Sequence, residues 1–70
     1  MTAEEIKLLE QEVSKAKFVV AQKAGQLHDL VEDRLPVSFE EIPVLAEATY
    51  QACKHWDSLN KKLQENKKLL

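Results

Sequence analysis

Leu27-His28-Asp29-Leu30-Val31-Glu32-Asp33-Arg34-Leu35-Pro36-Val37-Ser38-Phe39-Glu40-Glu41-Ile42 is the stretch in which one long helical pattern ends and a second begins. Pro36 disfavours helical geometry at Leu35, so the first helix is predicted to stop near Arg34. Start signals follow at once. Ser38 can serve as N-cap, Glu41 three residues on as its capping-box partner, and Val37 can pack on Ile42 as a hydrophobic staple. Pro43 falls in or just beyond the next first turn and removes a backbone donor, which predicts a short distorted or 3₁₀ start.

Upstream, Thr2 and Glu5 form a second capping-box pattern, with Glu4 and Glu5 at the positive end of the helix dipole. Ile6, Leu9, Val13, Ala16, Val20, Leu27 and Leu30 then fall on alternating steps of three and four, interrupted at Lys23. A spacing of 3.5 held this long indicates coiled-coil-like packing. Downstream, Ile42, Leu45, Thr49, Ala52, Trp56, Leu59, Leu63 and Leu70 repeat the spacing, with Thr49 and Asn66 as polar members and Cys53 at the seam border. Helices over about 2–34 and 39–68, joined by a few residues, must run antiparallel. The expected fold is therefore all-α, a single helical-hairpin domain spanning 1–70. Phe18, Val19, Val31, Tyr50 and Trp56 are more apolar surface than one hairpin can hide, so two hairpins are expected to pair as a homodimeric four-helix bundle. Its central seam would comprise Val20, Leu27, Leu30, Leu45, Thr49, Ala52, Trp56 and Leu59. Gly25 lies on the far side of the first helix, where it costs roughly 1 kcal/mol relative to Ala.

The chain is short enough that a lone core would be marginal, which again favours association or a metal. Cys53 is the single cysteine, so no internal disulfide is available and a reducing, cytoplasmic setting is expected. The acidic start Met1-Thr2-Ala3-Glu4-Glu5 has no apolar run of a signal peptide, and no stretch approaches the ~20 apolar residues of a membrane span. A net charge of −2 disfavours nucleic acid as a partner. Charge is polarised along the chain. Asp29, Glu32, Asp33, Glu40, Glu41 and Glu47 face only Arg34 around the turn, whereas Lys54, Lys61, Lys62, Lys67 and Lys68 dominate the C-terminal part.

No acid–base pair, Gly-rich loop or Ser-His-Asp pattern is present, and Cys53 and His55 point apart at i and i+2, so no enzyme is expected. No cofactor motif is defined. A divalent metal is the one candidate, held at His28 with Asp29, Glu32 and Asp33, a group that includes i, i+4 neighbours on one helical face, or at His55 between molecules. The plainer reading of these acids is a solvated helix end. Yet acids at a helix C-terminus oppose the dipole, which makes Asp29, Glu32, Asp33 and Glu40 the candidate partner-binding surface.

Gln26-Leu27-His28-Asp29-Leu30-Val31-Glu32-Asp33 followed by Leu35-Pro36 resembles the "LHDLxEDLP" turn of a family of small Rop-like proteins encoded among nitrogen-fixation genes. Phe39-Glu40-Glu41-Ile42, Ala46 through Thr49-Tyr50, and Trp56-Asp57-Ser58-Leu59 are similar to that family's second helix. Arg34 departs as an extra residue in the turn, and Pro43 stands where a helix former is usual. The resemblance implies a dimerising hairpin with an accessory role in nitrogen fixation, acting on nitrogenase or a cofactor-assembly protein. It also associates the family with a nickel-like divalent metal, which is not transferred to a particular histidine here.

Overall fold

The computed structural model describes residues 1–68; Leu70, expected on the seam, lies outside them. Two long helices, α1 over Ala3–Asp29 and α2 over Glu41–Lys68, lie antiparallel in a rod of 52 × 14 × 12 Å. The capping box at the start of α1 forms as the sequence predicts. Thr2 Oγ1 accepts from Glu5 N at 3.2 Å, and Glu5 Oε1 accepts from Thr2 N at 3.3 Å. Two orphan amides are thereby satisfied reciprocally.

At its far end α1 does not simply stop. Leu30–Arg34 continues it as one wider π turn, and Leu35 then turns extended at φ −88°, ψ 148° before a cis bond to Pro36. A π turn closes i→i+5 rings and so accommodates a residue more than an α turn.

The restart differs from the one the sequence predicts. Helix α2 begins at Glu41, two residues later than expected, and the Ser38–Glu41 capping box does not form. Instead Phe39 N bonds Pro36 O, Glu41 N bonds Ser38 O and Ile42 N bonds Phe39 O, all i→i+3 closures, after Ser38 N has bonded Arg34 O at 2.9 Å. These backbone bonds satisfy the amides that a Ser38 cap would have served, so the side chain is not needed. The Val37 staple is likewise absent, since Val37 faces solvent. Pro43 is the third residue of α2, among the first-turn positions whose amides have no intrahelical partner, and it therefore breaks no helical bond.

The core is thin. Ile6, Leu9 and Leu63 cluster at the open end of the hairpin with Val13 and Leu59 against them, while Ala16 and Leu30 are buried further along. Val20, Leu27, Leu45, Thr49, Ala52, Trp56 and Leu59 are half-buried along the same seam. Its polar members fold back on their own helix: Thr49 Oγ1 donates to Leu45 O and Asn66 Nδ2 to Lys62 O, each at 2.8 Å. Cys53, at the seam border, is exposed. Two helices enclose only the line between them, and a flanking position one residue off that line remains in water.

Candidate functional site: the hairpin faces and tip

Helical periodicity divides the rod into two long flanks. Residues one position after the seam on either helix, including Lys17, Ala24, Val31, Ala46 and Cys53, form the first. Residues one position before it, including Glu12, Val19, Ala48 and His55, form the second. Each flank carries a shallow groove. One is lined by Lys17, Val20, Cys53, Trp56 and Asp57, and the other by Glu12, Lys15, Ala16, Val19, Ala52, His55 and Leu59. The first flank is the more apolar toward the tip, where Ala24, Val31, Ala46 and Cys53 project no charge. Beside it, the Trp56 indole Nε1 is enclosed and has no hydrogen-bond partner among the described residues.

The sequence-predicted acidic residues all stand exposed at the closed end. His28 Nε2 lies 3.1 Å from Glu32 Oε2 and Nδ1 lies 3.6 Å from Asp29 Oδ1, so the histidine bridges two of its own helix's carboxylates. Arg34 Nη1 reaches Glu41 Oε1 at 3.4 Å, joining the end of the π turn to the first turn of α2. All three contacts are solvent-exposed and worth ~1 kcal/mol or less each. At the open end Lys67 Nζ approaches Glu10 Oε1 at 3.9 Å between the helices. Along α2, Asp57 accepts from Lys61 at 2.9 Å and holds the lysine pKa above its ordinary value.

The two histidines are not brought together. His55 lies against Ala16 and Val19, nine or more residues from His28 along α1, or about 14 Å of helix. Among the described residues no group of three or more His, Cys, Asp or Glu side chains is arranged to hold a metal ion. Nor is any helix among them long and apolar enough to cross a membrane.

What sequence reasoning missed at this end is its apolar content. Val37, Phe39 and Val44 are 89%, 60% and 69% exposed. The signal was a valine and a phenylalanine in a turn, positions that usually favour polar residues, but the staple pattern had assigned Val37 to packing.

The geometry defines a two-helix, antiparallel hairpin that presents two long grooved faces and an exposed tip. The model of the Rop-like family matches residues 4–68, and the chain belongs to that family. No curated protein and no solved structure matches it.

Proposed function

We propose that this chain is a non-enzymatic, dimeric helical interaction module, in which a second copy covers the flank of Ala24, Val31, Ala46 and Cys53. The observation that carries the reading is the surface. A compact monomer of this 8.0 kDa mass exposes about 4,500 Å², whereas this chain exposes 5392 Å². The surplus, about 900 Å², is close to the ~800 Å² per partner of a standard interface. A two-fold pairing doubles each contact with one surface.

The module's client would be a nitrogen-fixation protein, nitrogenase or a cofactor-assembly factor, met in the cytoplasm. The support is the resemblance of the Leu27–Asp33 and Leu35–Pro36 turn to the family encoded among those genes. Asp29, Glu32, Asp33 and Glu40, all exposed, are the contact residues of this reading. The alternative, divalent-metal carriage at His28 or His55, has less support, because His28 is engaged by its own carboxylate neighbours.

Sedimentation equilibrium of Ala24→Glu tests the module. Two carboxylates forced into one interface cost several kcal/mol each, so this variant should sediment as a monomer. Leu8→Glu, on the other flank, should remain dimeric. A dimeric Ala24→Glu protein refutes the assigned face, and a monomeric unsubstituted chain refutes the reading.

A further inference from the structure

We propose that the exposed apolar tip formed by Val37, Phe39 and Val44 is a docking surface for a cationic amphipathic segment of a partner protein. The inference rests on the interaction-module reading and names the chemistry of what that module takes. The tip is a built structure: backbone bonds from Ser38, Phe39, Glu41 and Ile42 hold residues 34–42 in consecutive tight closures, with Ser38 half-buried and its neighbours Val37 and Phe39 facing out. A second hairpin laid along the Ala24–Ala46 flank does not account for this surface. Val44 stands two helical positions before Ala46, a rotation of about 200° that puts it on the opposite side of α2. Val37 and Phe39 lie beyond the seam, in the connection itself.

Charge selects the occupant. Exposed Asp33, Glu40 and Glu47 lie within four chain positions of these apolar residues, and exposed Asp29, Glu32 and Glu41 add their carboxylates to the same end of the hairpin. The basic side chains facing this end are Arg34, which is paired to Glu41, and His28, whose ring nitrogens lie against Asp29 and Glu32. An anionic lipid surface or a phosphate backbone is repelled by such a rim. A bare divalent ion finds no three-ligand group among the described residues and has no use for the valines and phenylalanine. A helix with an apolar stripe bordered by Lys or Arg meets both requirements. Its stripe covers Val37, Phe39 and Val44 while its cations meet the carboxylates, giving affinity from the first and orientation and on-rate from the second.

The probe is a fluorescent 18-residue Leu/Lys amphipathic peptide, with a Leu/Glu peptide of the same pattern as control, titrated by anisotropy against the full chain. The Leu/Lys peptide should bind and the Leu/Glu peptide should not. Phe39→Ser and Val37→Ser should each weaken binding about tenfold, and the Glu32→Lys/Asp33→Lys pair should weaken it and flatten its salt dependence. Leu8→Ser, an equally exposed apolar residue at the open end, should change nothing. Circular dichroism and sedimentation of every variant separate the two readings. Lost peptide binding with an intact dimer supports the docking tip, whereas a tip variant that dissociates the dimer assigns these residues to self-association and overturns it. Absence of Leu/Lys binding, equal binding of the Leu/Glu peptide, equal weakening by Leu8→Ser, or preferential binding to phosphatidylserine vesicles or duplex DNA also overturns it.

Discussion

Dilution is the perturbation that most directly probes the thin core. If the hairpin folds only against a second copy, its stability is inseparable from concentration, and lowering the concentration a hundredfold removes about 2.7 kcal/mol per dimer. Two chains of 70 residues unfold with an enthalpy of roughly 100 kcal/mol near 60 °C, at about 0.7 kcal/mol per residue. Together these values lower Tm by about 10 °C between, for example, 200 μM and 2 μM. The structure makes this outcome specific. The buried apolar side chains among the described residues are Ile6, Leu9, Ala16, Leu30 and Leu63, of which Leu30 alone is fully enclosed, and this is little burial against the ordering cost of 27- and 28-residue helices. Thermal melts followed at 222 nm in cells of different path length measure the shift. A Tm independent of concentration across that range would show that the isolated hairpin is self-sufficient, and the surface surplus would then have no bearing on association.

Three further outcomes follow from individual residues. Leu30, 0% exposed where α1 passes into the π turn, should on substitution by Ala lose about 3 kcal/mol per chain and lower Tm by on the order of 15–20 °C, whereas exposed Leu8→Ala should move it little. A Cβ at Gly25 would meet nothing within 4 Å, so Gly25→Ala should stabilise the protein by up to about 1 kcal/mol in chemical denaturation; destabilisation would mean that another chain closes on that side of α1. Glu5 has its pKa lowered by the backbone hydrogen bond from Thr2 and then by that residue's hydroxyl. A depressed carboxylate contributes its stability above its unfolded value of about 4.5 and loses it as pH falls through the lower folded value. Acidification below pH 4.5 should therefore fray the first turn, seen as faster amide exchange at Glu5 and Ile6, and Glu5→Gln should remove that pH dependence.

The tip shows where local patterns compete. Two acceptable ways existed to satisfy the amides after Pro36: a Ser38 cap closed by Glu41, or successive i→i+3 backbone bonds. Both are short-range, and the sequence favours the first. The second prevails where the chain leaves α1 through a π turn, because Ser38 N is already committed to Arg34 O and the connection tightens around it. Val37 is thereby turned outward and no longer available as a staple, so the apolar tip is a consequence of the turn geometry rather than of any residue pattern. The sequence pointed to a helix ending near Arg34, but not to the wider π turn over Leu30–Arg34 in which it ends.

By itself the sequence determined the two helices, their antiparallel order, the Thr2–Glu5 cap and the seam of Leu27, Leu30, Leu45 and Trp56, because helical periodicity and capping act over a few residues and leave their signature in spacing. The acidic end was equally readable, since charge along a rod follows residue order. Only the tertiary structure decided how deeply each seam residue is buried, that Cys53 stands in water, and that Val37 and Phe39 face out. Those properties depend on what lies across from a side chain. Two helices can shelter a line between them and nothing beyond it, so burial was decided by the number of helices rather than by the hydrophobicity of the residues.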